Sequence, residues 1–180
     1  IQLAVHFGTV ILSADSRQFY KELNIGTAKP DQEQLKRVKH YFINTKNVDE
    51  LYGAGHFEKD VLALLKELFK QHRIVFLVGG SGLYINAVLN GVDDFVDVPG
   101  AFRAELNQQF LKNGLVWLQN ELKRKDKAYF EQVDLNNPQR MIRALEVCNY
   151  TGKTYSSFLN QNKNTRHFEA ILLLITLDRE

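Results

Sequence analysis

Thr9-Val10-Ile11-Leu12-Ser13-Ala14-Asp15-Ser16-Arg17-Gln18 begins apolar and β-branched, then turns polar at once. An apolar run that stops at an Asp-Ser-Arg-Gln cluster reads as a buried strand delivering polar side chains to the carboxyl end of a sheet, where open α/β folds place their sites. Asp15 is the first candidate for chemistry. Its competing role is that of a turn or helix-cap aspartate accepting free backbone N–H groups.

Upstream, Ile1 to Val5 before His6-Phe7-Gly8 reads as a helix end stopped by Gly8. Downstream, Gly26-Thr27-Ala28-Lys29-Pro30 reads as a loop, and Asp31 to Val38 as a short helix with Pro30 just ahead of it. His40-Tyr41-Phe42-Ile43 reads as a second strand. From about Ala54 to His72, Phe57, Val61, Leu64, Leu65 and Leu68 recur at helical spacing. Ile74 to Val78 shows no alternation, as a strand covered on both faces should, and Gly79-Gly80-Ser81-Gly82 then opens a helix over Leu83 to Leu89. This order of elements predicts a parallel α/β sheet flanked by helices, spanning residues 1–92.

After Gly91 the pattern changes. An acidic link through Asp93, Asp94, Asp97 and Pro99 leads to helices at roughly Ala101–Lys112, Val116–Lys125 and Pro138–Tyr150, predicting a helical insertion over 93–165. Asn160 to Thr165 reads as a polar turn, and Ala170 to Leu177 as a strand on which the chain returns to the sheet, within 166–180.

Composition sets bounds on function. With 180 residues, 44% apolar and 24% charged, the chain is an ordinary globular one, and a formal net charge of +2 neither points to nor excludes a nucleic-acid partner. Cys148, the single cysteine, falls in an apolar helical pattern and reads as a buried thiol in a reducing compartment. No run approaches the length of a membrane helix. The five histidines lack metal-ligand spacing, which argues against structural zinc.

Two further groups could bear chemistry. Gly79-Gly80-Ser81-Gly82 lies between a strand and a helix, where converging N–H groups suit an anion, although a merely tight turn fits equally. In Asn136-Asn137-Pro138-Gln139-Arg140-Met141-Ile142-Arg143, Asn137 can cap a helix with Pro138 at its first position, and Arg140 and Arg143 share a face. Guanidinium groups there can grip phosphates or base edges. Bridging of these arginines to Glu146 or Asp134 is the competing reading. The basic runs at Lys123-Arg124-Lys125 and Lys36-Arg37 read as solvated faces.

Four blocks together resemble the tRNA dimethylallyltransferases, or isopentenyl-diphosphate:tRNA transferases: Ser13-Ala14-Asp15-Ser16-Arg17-Gln18-Phe19-Tyr20, Ile25-Gly26-Thr27-Ala28-Lys29-Pro30, Leu77-Val78-Gly79-Gly80-Ser81-Gly82-Leu83-Tyr84, and Asn137-Pro138-Gln139-Arg140-Met141-Ile142-Arg143-Ala144-Leu145-Glu146. The resemblance implies a P-loop NTPase-like parallel sheet with an inserted helical domain. It also implies transfer of a dimethylallyl group from dimethylallyl diphosphate to N6 of adenosine 37, in the anticodon stem-loop of tRNAs reading codons that begin with U. It assigns Asp15 as general base. It places Ser16, Arg17, Gln18, Ser81, Arg103, Gln139, Arg140, Met141, Ile142 and Arg143 against tRNA. Magnesium as cofactor, a cytoplasmic location and a monomeric state are further expectations.

Family members carry a Gly-Pro-Thr-x-x-x-Gly-Lys-Thr phosphate loop ahead of the first helix and continue beyond Glu180, so the chain alone is expected to be inactive. The alternatives are a P-loop-type small-molecule kinase, with Asp15 activating a hydroxyl, and a non-catalytic RNA-binding module.

Overall fold

A computed structural model describes residues 1–93, 96–159 and 165–176. The chain divides into two compact units, Ile1–Val92 with Lys163–Glu180, and Asp93–Asn162.

The first unit is built on a sheet of order β2-β1-β3, with β1 at Ile11–Ser13, β2 at His40–Tyr41 and β3 at Phe76–Val78. All pairings are parallel, Ile11 facing His40 and Phe76 across the ladder and Ser13 facing Val78. The central strand is buried on both sides because its successive side chains serve different cores. Leu12 joins Phe19, Phe57, Val61, Leu65 and Val88, while Ile11 packs with Ala4 of α1 (Gln2–His6) and with Val38. This explains the unbroken apolar run from Val10 to Leu12.

Flanking helices follow the local signals. Asp31 caps α2 (Gln32–Arg37), its carboxylate accepting Gln34 N–H while the Gln34 side chain returns a bond to the Asp31 N–H. The apolar stripe of α3 (Ala54–Leu68) buries Phe57, Val61, Leu65 and Leu68. α4 (Gly82–Asn90) ends at Gly91. The second strand is shorter than the sequence suggests, because Phe42 turns to a φ of 63° and leaves the extended region.

Buried beneath α3 and α4 is an ion pair. Arg166 donates to Glu58 at 2.6 Å and to the Val88 and Ala87 carbonyls at 2.8 and 2.9 Å. The second Glu58 oxygen accepts the Val92 N–H at 3.0 Å.

The expected return strand is not one. Residues 170–176 have no ladder partner and no regular structure, and Ile171, Leu174 and Ile175 are almost fully exposed. A strand exists only where a neighbour takes its N–H and C=O groups, and among the described residues the sheet supplies none to this run. Leu177, Asp178, Arg179 and Glu180, with Asn160 to Asn164 of the expected polar turn, lie outside the described residues.

The second unit is helical. α5 (Gly100–Lys125) is interrupted at Gly114, whose φ of 76° and ψ of −174° divide it close to the break expected from sequence. A short α6 (Lys127–Phe130) follows, then α7 (Pro138–Thr151), then a 3₁₀ turn at Tyr155–Phe158. Leu106, Leu118, Leu122, Met141, Ile142, Ala144 and Leu145 form its core. Asn137 caps α7 through Arg140 N–H, Pro138 occupies the first turn, and Gly152 closes the helix in the left-handed region. Buried Asp126 joins α6 to the 3₁₀ turn by accepting Tyr129 N–H and both the N–H and hydroxyl of Ser156.

Candidate active site

In the first unit the site forms where β1 and β3 end. The Ala14 N–H donates to the Val78 carbonyl at 2.8 Å, carrying the chain one residue past the strand and leaving Asp15 half-buried at its tip. Asp15 Oδ1 accepts the N–H groups of Arg17 at 2.9 Å and Gln18 at 3.3 Å. The turn-capping role weighed from sequence is therefore real, and it occupies one oxygen. Oδ2 takes no hydrogen bond among the described residues, so a proton acceptor remains on a carboxylate whose orientation is already fixed.

The glycine turn sits directly beside it. Gly79 comes so close to β1 that a Cβ built there would lie 2.3 Å from the Ala14 carbonyl oxygen, so only glycine fits. That approach brings Ser81 to Asp15's neighbour: the Ser81 hydroxyl accepts the Ser16 N–H at 2.8 Å. Ser81 precedes α4 but spends its hydroxyl here, giving its own helix no side-chain cap.

Arg17 is exposed, and among the described residues it forms no ion pair. Gln18 differs. Its amide N–H groups donate to the Thr27 and Ala28 carbonyls at 3.0 and 3.1 Å, and its Oε1 accepts from the Ser13 hydroxyl at 2.8 Å. The Gln18 side chain thus holds the 26–30 loop to the strand end.

Lys29, which sequence reasoning did not single out as a site residue, secures the same loop. Its ammonium donates to the Tyr20 carbonyl and to the Asn24 and Asn44 side chains. Burial holds it below the ordinary lysine range against the pull of Glu22. A lysine between a glycine turn and a proline was the only signal available.

In the second unit, the buried Glu146 carboxylate gathers two arginines. Arg103 Nε donates to Oε2 at 2.7 Å and Arg103 Nη2 to Oε1 at 3.3 Å, while Arg143 Nη1 donates to Oε1 at 2.5 Å. Bridging to Glu146, the competing reading of Arg143, is what the structure shows. Gln139 and Arg140 are exposed on the first turn of α7. Met141 and Ile142 are fully buried, because at their positions on α7 they face the core. Their side chains pack the unit and are not presented to solvent, unlike those of Gln139 and Arg140. Tyr129 and Tyr155 pack close by with ring centroids 4.6 Å apart. Burial pushes the Tyr155 phenol up to about 12, with Tyr129 adding to the rise and Arg143 opposing it.

Among the described residues no three His, Cys, Asp or Glu side chains come together as a metal-binding group. Magnesium commonly takes one or two carboxylates together with substrate phosphates and water. An ion held in that way would not need a three-residue cluster. Among the described residues, too, no helix is long and apolar enough to cross a membrane.

The first unit is thus a parallel α/β unit with a carboxylate and hydroxyls at its strand ends, and the second a helical unit with two arginines paired on one buried glutamate. A profile of the IPP transferase family matches residues 18–180, and the chain belongs to that family. It is 49% identical over 180 residues to the tRNA dimethylallyltransferase of Christiangramia forsetii, matching all of this chain and 60% of that protein. The chain thus spans about 60% of the length of the curated relatives it matches. Among solved structures it resembles a eukaryotic dimethylallyltransferase captured acting on tRNA, with a TM-score of 0.68, 25% identity, and coverage of 90% of this chain and 40% of that one. It also resembles the full-length tRNA isopentenylpyrophosphate transferase of Bacillus halodurans, with a TM-score of 0.50, 33% identity, and coverage of 84% and 50%.

Proposed function

We propose that this chain carries the amine-activating part of an enzyme that transfers a dimethylallyl group from dimethylallyl diphosphate to N6 of adenosine 37 in tRNAs reading codons that begin with U. Family membership supports the reaction class. The observation that carries the assignment of roles is the Asp15 carboxylate, clamped through Oδ1 and open at Oδ2. An adenine exocyclic amine is a weak nucleophile because its lone pair is delocalised into the ring.

As N6 bonds to the allylic carbon, the carbon–oxygen bond to diphosphate breaks and the leaving group departs with the electron pair. The surplus N6 proton passes to Asp15, which relieves the charge appearing on nitrogen. Ser16, Arg17, Ser81, Arg103, Gln139, Arg140 and Arg143 are read as tRNA-side residues. An anticodon-loop adenosine reaches such a carboxylate more cheaply than one stacked in a duplex. Magnesium, if carried with the diphosphate, would help absorb the negative charge on that leaving group.

Replacing Asp15 by Asn in the active enzyme should lower kcat by about 10²–10⁴ while leaving tRNA affinity nearly unchanged. The assay is incorporation of labelled dimethylallyl into an anticodon stem-loop, and undiminished turnover would remove Asp15 from this role.

A further inference from the structure

Arg103 and Arg143 come from different helices, and the carboxylate that unites them is buried. The Glu146 side chain is 4% exposed, against 47% for Arg103 and 35% for Arg143. A carboxylate taken out of water is costly unless paired and hydrogen-bonded, and two guanidinium groups meet that requirement here. The assembly also does something for the arginines. A free arginine side chain samples many rotamers and must be immobilised before it can grip an anion. With Nε and Nη2 committed to Glu146, Arg103 is already ordered while its outer side reaches solvent. Arg143 is tied to the same carboxylate through a single bond, Nη1 to Oε1, so the two guanidiniums and Glu146 together present a net positive charge on one buried anchor.

We infer that Glu146 is a positioning residue: its buried carboxylate sets Arg103 and Arg143 as a pre-ordered pair for an RNA phosphate. This rests on the proposed tRNA reading and names the residue on which its phosphate grip depends.

The sign of one measurement separates this from a plain structural or Coulombic role. Removing a negative charge beside an RNA-binding surface should, by Coulomb's law alone, tighten binding. Loss of positioning should weaken it. For Glu146→Gln, affinity for a labelled anticodon stem-loop, followed by fluorescence anisotropy across a potassium chloride series, is expected to fall by about tenfold. The slope of log K against log salt should shrink by about one. In the active enzyme the same variant should raise KM for tRNA with kcat held.

Thermal melting and Trp117 emission check that the helical unit is intact, since Trp117 packs against that core. If Glu146→Gln does not fold, Glu146→Asp decides. It keeps the charge but cannot reach both guanidiniums, so it too should weaken binding and reduce the slope. Equal or tighter binding with an unchanged slope, in whichever variant folds, overturns the inference and leaves Glu146 as a fastener of α5 to α7. Failure of the unaltered protein to bind the stem-loop overturns the tRNA reading and this inference with it.

Discussion

Replacing Arg166 by Met tests the energetics of the first unit where they are most concentrated. The Arg166 and Glu58 side chains are only 12% and 10% exposed, so the charge left behind on Glu58 could not be rehydrated without opening α3 from α4. Breaking a buried pair by removing one partner costs about 3–5 kcal/mol. The separate loss of carbonyl partners is smaller than it looks. Ala87 O still accepts the Gly91 N–H at 2.9 Å, which leaves the Val88 carbonyl as the group Arg166 Nε alone had served among the described residues.

We therefore expect a loss near the lower end, about 3 kcal/mol, and a fall of roughly 10 °C or more in the melting temperature of that unit. Adding Glu58→Met removes the stranded charge and should recover part of the loss. Recovery will be incomplete, because the Val92 N–H then loses its acceptor. Urea unfolding combined with amide exchange over 54–92 measures both variants. A loss below about 1 kcal/mol for Arg166→Met would refute the reasoning, since that is the value of a solvent-exposed pair.

The remaining predictions concern the glycine turn and a buried phenol. Gly79→Ala should cost about 3 kcal/mol or more, since its Cβ would meet Ala14 backbone atoms that cannot swing aside, whereas Gly80→Ala, with nothing within 4 Å, should be far milder; similar urea midpoints for the two variants would disprove the close approach. Tyr155 has a folded-state pKa raised to about 12 from an ordinary 10, so the fold favours its neutral form. The stability this contributes is fully present below about pH 10 and is lost as pH rises towards 12, because over that window the unfolded chain holds fewer protons. Melting of the helical unit should fall across that window, and Tyr155→Phe should flatten the fall.

Much of the parallel sheet was legible because burial leaves a compositional trace. The unbroken run through Ile11 and Leu12 signals two covered faces, and Phe57, Val61, Leu65 and Leu68 fix the buried stripe of α3. The start of α7 was legible through Asn137 and Pro138, and that of α2 through Pro30 just ahead of Asp31, because those signals are local. What stayed hidden depends on groups remote in sequence. Nothing near Glu58 announces Arg166, and nothing near Arg103 announces Glu146. Gln18 illustrates a further limit: a polar residue in a polar motif reads as presented outward, yet its amide is consumed by the Thr27 and Ala28 carbonyls and the Ser13 hydroxyl.

Ala170 to Thr176 marks the boundary between what a run of residues can specify and what only its surroundings can. Its composition is strand-like, yet its large side chains stand in solvent. For β1 the same kind of composition gives a true strand, because β2 and β3 take its ladder on both sides while Phe57 and Val61 cover one face and Ala4 and Val38 the other. Strand propensity records how well a side chain fits a pleated, half-buried surface, so it cannot create the surface. The segment beginning at Arg166 is fastened to the first unit by that guanidinium, buried against Glu58 and the carbonyls of Ala87 and Val88, and by Phe168, which packs on the core beside Phe69, and it is the loss of the buried charge pair that the Arg166 substitution is expected to make felt in α3 and α4.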